Sequence, residues 1–295
     1  NSFAQRTFGW NGIAFDLCVD VFFLLSGFVL TYSMQRKVAF GEFVIKRFLR
    51  LAPVFCVTTL AVVVLAGKPA SWLELFMAEP FVGNDPVNFP AWSVCWEFYL
   101  PIIALLAPFR IPDQAVPWML AAALFGLGLA DIAVSQGGMY YFIRALLGLG
   151  AGHLLFRIRR PLALPLTPLV VALVALMALA KTYAVFAIAV PAVAAVTILA
   201  GQTARSLLRL APFQWLGTIS YTLYLVHIPV LFISQSLFPG RVDSNPSVKL
   251  VLLVVSLASA WILTVAIERP AMRLSRRLTS QFGQPPPVLR DAPAE

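Results

Sequence analysis

The sequence predicts an all-α protein, a polytopic bundle of transmembrane helices, and two observations support this fold class. Hydrophobic residues make up 60% of the 295 residues, whereas charged residues make up only 12%. A soluble domain of this length cannot bury so much apolar surface in its own core. The apolar residues also gather in runs that can cross a hydrocarbon layer about 30 Å thick as helices, and that are too long and uniform for barrel strands.

Nine apolar runs follow one another along the chain, and polar or basic loops separate them. The second run is entered through a basic loop, and the longest and most acidic loop, 67–90, precedes the third. The sixth and seventh runs are almost wholly aliphatic, which predicts that they face lipid or neighbouring helices, with a kink at Pro191. The nine predicted spans are 13–32, 43–66, 91–107, 115–134, 139–156, 162–180, 182–200, 213–238 and 248–267.

We expect one transmembrane domain over residues 1–270. The ninth run is closed by Glu268, Arg269 and Pro270, and the residues that follow are first basic and then rich in proline. A segment of this composition has too few apolar residues to form a packed core. Residues 271–295 are therefore predicted to be a disordered cytoplasmic tail.

The distribution of basic residues predicts the orientation of the helices. Given nine spans, most Lys and Arg residues fall on the same side as the basic loop after the first span. Few fall on the other side, namely Arg6, Lys68, Lys181 and Arg241. Because basic loops remain in the cytoplasm, this asymmetry supports the span count and a location in the inner (cytoplasmic) membrane. It also explains the net charge of +9 better than nucleic-acid binding does.

Arg47 and Arg50 stand at the cytoplasmic mouth of the second span. They are three residues apart, so their side chains share one helix face. Two guanidinium groups at such a place can bind phosphates bidentately, and coenzyme A is a cytoplasmic ligand rich in phosphate. The alternative is ordinary anchoring to the anionic headgroups of membrane lipid. The spacing alone leaves both interpretations open.

Carboxylates inside apolar runs are costly and mark candidate functional positions. Glu97 is placed on the outer side of the third span, where it could serve as an acid, a base or a ligand for a substrate hydroxyl. It could instead pair with Arg144. Asp20 shares a helix face with Asp16. It could orient a base, or it could be held by an arginine or by backbone groups of the bundle.

His227 lies within the eighth span and is a further catalytic candidate. The alternative is a hydrogen-bonding residue of the bundle, since Pro229 frees a backbone carbonyl nearby. With His153 it completes the two histidines of the chain, which are too few for a metal cluster. The three cysteines show no ligand spacing either. We therefore expect no metal site.

Four stretches in this order carry a resemblance to a known family: VDVFFLLSGFVL at 19–30, KRFLR at 46–50, AWSVCWEFYL at 91–100 and LGTISYTLYLVHIPV at 216–230. Together they resemble the motifs of acyltransferase family 3, integral membrane enzymes that O-acylate sugars and related substrates. The ERP sequence at 268–270 is similar to the E-x-P that closes the family's domain. The resemblance covers nearly the whole chain.

This resemblance implies a function that the residue pattern alone does not. Members of the family have ten spans and take an acyl group, often acetyl, from acyl-coenzyme A on the cytoplasmic side. The acceptor is commonly a hydroxyl of a surface polysaccharide, a lipid-linked glycan or another sugar-containing molecule. By this resemblance Arg47 and Arg50 contact the donor. Asp20, Glu97 and His227 match family positions and are the candidate catalytic residues.

The chain departs from the family pattern near its beginning. The family's first span carries the histidine proposed as the catalytic base, whereas no histidine precedes His153 here, and Cys18 stands where the pattern has glycine. Nine spans would also leave the N-terminus outside the cytoplasm with no signal segment before it. We therefore expect a tenth span, with that histidine, before Asn1, and an isolated product of this sequence to be inactive.

Two other functions are compatible with charges inside the membrane. A transporter or flippase could line a substrate or proton path with Asp20, Glu97, Arg144 and His227. The absence of an obvious internal repeat between the two halves counts against a transporter built from repeats. A catalytically inactive scaffold or sensor is the other alternative, and it requires that the family's histidine be absent.

Overall fold

The computed structural model describes residues 18–34, 38–67, 71–82, 86–106, 138–158, 209–240 and 245–282. All regular secondary structure in these ranges is helical, which confirms the predicted all-α class. A π turn, Thr264–Glu268, joins the last two helices, and short 3₁₀ turns occupy Glu79–Val82 and Ser280–Phe282. The helices are α1 (Cys18–Met34), α2 (Phe40–Ala66), α3 (Trp72–Leu75), α4 (Ala91–Leu106), α5 (Gly138–Ile158), α6 (Ala211–Leu237), α7 (Pro246–Leu263) and α8 (Arg269–Thr279).

Three helical segments are long and apolar enough to cross a membrane: Phe40–Leu65, Ala211–Leu237 and Pro246–Thr279. Two shorter apolar helices, Val19–Met34 and Ala91–Leu106, accompany them. These segments fit the predicted membrane bundle. The predicted spans at 115–134, 162–180 and 182–200 lie outside the described residues, so the count of nine spans stays a prediction.

Helix α4 lies at the centre of the described bundle because it is apolar on nearly every side. Most of its residues from Ala91 to Pro101 are buried, and it packs against α1, α2 and α5. Its side chains belong to two core clusters. In one of them Trp92 stacks on Tyr141 of α5, with the ring centroids 4.4 Å apart. Helix α4 thereby joins the α1–α5 pair to α2, which in turn packs against α6.

Helices α1 and α5 approach each other through glycines. A Cβ added at Gly27 of α1 would overlap the backbone carbonyl of Leu149, and a Cβ added at Gly152 of α5 would overlap that of Leu24. Gly148 and Gly152 form a G-x-x-x-G sequence, the pattern that lets two membrane helices pack with their backbones in contact. Any side chain at these positions would push the two helices apart.

The acidic loop that the sequence places outside the bundle folds back into it. Glu74, Glu79 and Asn88 are only 3%, 4% and 0% exposed. As a result α4 begins inside the bundle, and its first residue, Ala91, packs in a cluster with Leu51 from the middle of α2. The shallow outer position predicted for Glu97 is wrong, because Glu97 contacts Arg47, which lies closer to the start of α2 than to its end, whereas the prediction requires the opposite end.

Helices α7 and α8 form one continuous element. In the π turn between them the backbone N–H of Arg269 donates to the carbonyl of Thr264, five residues earlier. Pro270 follows, and it has no N–H with which to restore the ordinary α-helical bond. A π turn of this kind inserts one additional residue into a helix and is frequent at functional sites.

The prediction of a disordered tail from residue 271 is wrong for residues 271–282, which are helical. Helix α8 has a strongly basic side, and the opposite side buries Ser275 and Thr279. It packs against α2, and this tertiary contact orders a stretch that its composition alone would leave unfolded. Residues 283–295 lie outside the described residues.

The close approach of α1 and α5 predicts a position-specific effect of one added methyl group. Gly152→Ala should destabilise the protein by about 1–3 kcal/mol, because the methyl group has no space and the helices must shift. Gly217→Ala in α6 is the matched control, since no atom of the described residues outside its own helix backbone and its chain neighbours lies within 4 Å of the added Cβ, and alanine favours a helix over glycine. Thermal unfolding in detergent compares the two variants, and equal stability would contradict the described packing.

Candidate functional site

A buried contact between Arg47 of α2 and Glu97 of α4 forms the centre of the candidate site. Arg47 donates from Nε to the backbone carbonyl of Glu97 at 2.8 Å, and from Nη2 to the same oxygen. The Nη2 atom also lies 3.4 Å from Glu97 Oε1 as an ion pair, and the two side chains are 10% and 6% exposed. Two residues that the sequence places at different depths are therefore in direct contact.

Pro101 explains why the carbonyl of Glu97 is available to Arg47. In an α-helix this carbonyl accepts from the N–H four residues later, which here is position 101, and proline has no N–H. Helix α4 continues through Pro101, so the freed oxygen needs another donor in its apolar surroundings. The guanidinium of Arg47 supplies two.

The carboxylate of Glu97 is held through one of its two oxygens. Ser26 Oγ of α1 donates to Oε1 at 2.8 Å, and Arg47 lies against the same atom. The other oxygen, Oε2, is buried and has no hydrogen-bond partner among the described residues. A buried acceptor without a donor is unfavourable. A hydroxyl or amide group placed beside this atom would supply the missing donor.

A second buried ion pair joins α1 to α5. Arg144 donates from Nε to Asp20 Oδ1 at 3.2 Å and from Nη2 to Asp20 Oδ2 at 2.8 Å, a bidentate arrangement. The same guanidinium lies over the ring of Trp92, 5.2 Å from its centroid. Asp20 is thus held by an arginine of the bundle, one of the alternatives left open for it. The pairing of Arg144 with Glu97 is not formed in the described structure.

Glu268 provides a third carboxylate, at the π turn. Its Oε2 atom accepts from Thr222 Oγ of α6 at 2.7 Å and from Thr264 Oγ at 3.4 Å. Two hydroxyl groups from different helices therefore fix this carboxylate. The sequence identified Glu268 only as part of the motif that closes the domain and gave it no role.

Tyr221 of α6 connects α6 to α2 beside Arg50. Its hydroxyl donates to the backbone carbonyl of Leu51 at 2.6 Å, and the next residue, Thr222, is the one that donates to Glu268. Arg50 itself is exposed. The two arginines of the KRFLR motif consequently differ: Arg47 is bound inside the bundle, whereas Arg50 remains at the surface.

His227 occupies a different part of the bundle. Its ring centroid lies 6.0 Å from that of Tyr224. The hydroxyl of Tyr224 donates to the carbonyl of Pro90 at 2.9 Å and accepts from Ser93 Oγ at 3.0 Å. No contact between His227 and the Glu97 carboxylate occurs in the part of the chain that the structure describes.

Residue reasoning missed Ser26 and Tyr221 as parts of the site. A signal for both was present, because each lies inside a stretch that carries the family resemblance, 19–30 or 216–230. Polar residues at these positions are unremarkable as composition, since Ser and Tyr occur in many apolar helices. Only the packing of the helices shows that Ser26 donates to Glu97 and that Tyr221 donates to the carbonyl of Leu51.

The side chains of the site can act on a bound molecule through charge and hydrogen bonds. Within the described ranges, no three His, Cys, Asp or Glu side chains come together as metal ligands. Glu97 can accept a hydrogen bond through Oε2, and Arg47 keeps a positive charge beside it. A buried carboxylate in such surroundings can orient a hydroxyl group and raise its nucleophilicity.

The Asp20–Arg144 pair predicts non-additive effects on stability. Asp20→Leu or Arg144→Met alone should destabilise the protein by about 3–5 kcal/mol, because each removes the bidentate ion-pair partner of a buried charge. The double variant should recover a large part of this loss, since apolar residues can replace a buried pair. Thermal unfolding of the four proteins gives the coupling. Strictly additive losses would show that the two side chains do not depend on each other.

Comparison with known proteins identifies the family. The family model for acyltransferase family 3, described as an acyltransferase domain, matches residues 1–265. No curated protein and no solved structure is found to match the chain. Since the family match covers most of the chain and the described residues form an apolar helical bundle, the protein belongs to acyltransferase family 3, a family of membrane acyltransferases.

Proposed function

We propose that the protein is an O-acyltransferase of the inner (cytoplasmic) membrane. It moves an acyl group, expected to be acetyl, from acyl-coenzyme A to a hydroxyl of a surface polysaccharide, a lipid-linked glycan or another sugar-containing acceptor. Family membership supports acyl transfer in general. The observation that carries the hydroxyl acceptor is Glu97 Oε2, a buried oxygen without a donor among the described residues, because a sugar hydroxyl would supply that donor.

In this proposal Glu97 accepts the hydrogen bond of the acceptor hydroxyl. Ser26 and Arg47 support that role because they hold the carboxylate through Oε1 and leave Oε2 available. Asp20 acts indirectly, since its pair with Arg144 fixes α1, the helix that carries Ser26. His227 remains a candidate through its family position alone.

The donor is proposed to approach from the cytoplasmic side, where the basic loops lie. Arg50 is exposed and is suited to contact a phosphate of coenzyme A. Arg47 takes part through its bonds to Glu97. The resemblance implies that both arginines contact the donor. We propose instead that Arg50 contacts the donor at the surface, whereas Arg47 positions Glu97.

The proposed reaction is a direct acyl transfer. The acceptor oxygen forms a bond to the carbonyl carbon of the thioester, the carbon–sulfur bond breaks, and the hydroxyl proton ends on the leaving sulfur of coenzyme A. Glu97 orients the hydroxyl and takes up its proton during this attack, and the proton then passes to the leaving sulfur. Positioned groups of this kind accelerate a reaction by about 10²–10⁴-fold. The apolar bundle excludes water, which would otherwise hydrolyse the thioester.

The transport alternative finds less support in the described part of the chain. A proton or substrate path needs charged side chains that are open to the passing ion. Asp20 is bound bidentately by Arg144, and Glu97 is bound by Arg47 and Ser26. These contacts fix the charges in place, as expected for a binding or catalytic site.

Glu97→Gln should lower kcat by about 100-fold or more, because the amide cannot take up the proton of the acceptor hydroxyl. The variant should also be less stable, because Arg47 loses its buried counter-charge, so kcat is taken per folded molecule. Arg47 still binds the backbone carbonyl of residue 97. Turnover of labelled acetyl-coenzyme A, with candidate glycans supplied, is measured in membranes from cells that express the complete reading frame. Label transferred to glycan is separated from label lost to water.

Glu42→Gln is the matched control for this experiment. Glu42 also pairs with a basic residue, Lys46, but this pair lies at the start of α2, where Lys46 is 48% exposed. It should leave kcat within about twofold, as expected for a partly exposed pair. A Glu97→Gln enzyme as active as the Glu42→Gln enzyme would remove the proposed role of Glu97.

The two arginines predict different defects. Arg50→Ala should raise KM for acetyl-coenzyme A about tenfold at unchanged folded yield, which corresponds to about 1.4 kcal/mol of lost binding. Arg47→Ala should instead lower the folded yield, because it leaves the backbone carbonyl of Glu97 without its donor and the buried carboxylate without its counter-charge. Donor titration and size-exclusion chromatography measure the two effects. Identical defects in both variants would argue for a joint donor contact.

A further inference from the structure

A cavity of about 310 Å³ lies where α6, the π turn and α8 meet. It is separate from the Arg47–Glu97 contact, and nothing in the sequence analysis assigned it a role. Its polar lining comes from three elements: Thr218, Thr264, Glu268, Arg269, Arg273 and Arg276. Three arginines and one carboxylate around a single cavity suggest a ligand that carries both anionic groups and hydrogen-bond donors.

The arginines of α8 are available to an anion. Arg273 and Arg276 are exposed, and neither forms an ion pair with another residue of the described ranges. They are three residues apart on one helix, so their guanidinium groups lie on one side of it. Arg269, on the same side, has its guanidinium 5.0 Å from the centroid of the Trp261 ring, which fixes its position at the edge of the cavity.

The carboxylate of Glu268 restricts the choice of ligand. A simple anion such as an inorganic phosphate gains nothing from a negative charge in the same cavity. A nucleoside phosphate can use both kinds of group, because its phosphates bind arginines while an adenine amino group or a ribose hydroxyl donates to a carboxylate. Thr222 and Thr264 both donate to Oε2 of Glu268. No other hydrogen bond to this carboxylate occurs within the described ranges, so it retains acceptor capacity.

The size and position of the cavity agree with one end of a larger donor. Its volume is at the lower limit of ligand pockets, which range over about 300–1,000 Å³, so it fits a phosphorylated nucleoside rather than a whole coenzyme A. Helix α8 packs against α2. Tyr221 of α6 donates to the carbonyl of Leu51, the residue after Arg50, and the next residue, Thr222, donates to Glu268 at the cavity. A ligand in the cavity therefore lies on the Arg50 side of the bundle.

We propose that this cavity binds the 3′-phosphorylated adenosine end of coenzyme A, with Arg273 and Arg276 on its phosphates and Glu268 on a donor group of the nucleoside. The inference rests on the proposed function, in which acyl-coenzyme A is the donor. The cavity would supply additional cations for the phosphates of the donor. They are needed because Arg47 is bound to Glu97, so that Arg50 is the one exposed arginine of the KRFLR motif. The acyl chain then extends from this surface toward Glu97.

The test uses adenosine 3′,5′-bisphosphate, which has the phosphates and nucleoside of the donor but no thioester. Binding to the complete protein is measured in nanodiscs of neutral lipid by displacement of labelled coenzyme A. Arg273→Gln and Arg276→Gln should each weaken bisphosphate binding about tenfold. Arg277→Gln is the matched control, because it removes the same charge from the same helix at a position that does not line the cavity, and it should change affinity less than twofold.

Two further arms separate the possible ligands. Inorganic pyrophosphate should displace coenzyme A more weakly than the bisphosphate, because it offers no donor to Glu268. Nanodiscs that contain phosphatidylglycerol should leave the difference between Arg276→Gln and Arg277→Gln intact. If the anionic lipid abolishes bisphosphate binding in the wild-type protein, the cavity is a lipid headgroup site and the inference is overturned.

The outcomes also separate this inference from the proposed function. If the wild-type protein binds coenzyme A and transfers acyl groups while the Arg273 and Arg276 variants match Arg277→Gln, the cavity assignment is wrong and the function stands. If the wild-type protein neither binds coenzyme A nor turns it over, the proposed function fails first, and the cavity assignment fails with it.

Discussion

Pro101 and Pro229, which lie inside apolar helices, each leave a backbone carbonyl without its helical partner, and the bundle supplies a donor to both. The carbonyl of Glu97, freed by Pro101, receives the guanidinium of Arg47. The carbonyl of Leu225, freed by Pro229, receives the side-chain amide of Asn88 at 3.3 Å. An unbonded carbonyl in apolar surroundings costs several kcal/mol. These two contacts therefore tie α2 to α4, and the buried loop before α4 to α6.

The charges of the site follow from this arrangement. Arginine stays protonated and keeps its charge even where it is buried, so Arg47 brings a permanent positive charge to the freed carbonyl and needs a carboxylate beside it. The side chain of Glu97 is that carboxylate. The Asp20–Arg144 pair repeats the pattern between α1 and α5. Each pair joins two helices, and the central helix α4 lies against both: it carries Glu97 of one and Trp92, whose ring faces Arg144.

Much of the fold class could be predicted from the sequence, because apolar runs of membrane length leave few other structures. The sequence could not predict which charged residues pair with one another. Sequence distance gave Glu97 a depth by assuming that 67–90 stays outside, whereas Glu74 and Asn88 of that loop are buried. Because this loop is buried, α4 starts beside the middle of α2, and Glu97 contacts Arg47 instead of Arg144. The sequence of the loop does not predict this shift, because the shift depends on tertiary contacts that the loop makes.

The tail illustrates the same limit, because α8 is ordered by α2 and not by its own composition. Likewise the motif KRFLR predicted two equivalent arginines, and only the packing of α4 distinguishes the buried Arg47 from the exposed Arg50. The family match, in contrast, was accessible to sequence reasoning, because the motifs consist of local runs of residues that can be compared without knowledge of the fold.

The way in which residue 97 is anchored has an evolutionary consequence. Arg47 binds the main chain at this position, so the hydrogen bonds between α2 and α4 do not depend on which side chain residue 97 carries. A neutral side chain there would nevertheless leave Arg47 without its counter-charge. Pro101, which has no reactive group, maintains these backbone bonds. The backbone link and the carboxylate are thus set by different residues of one helix, so selection can act on each of them separately.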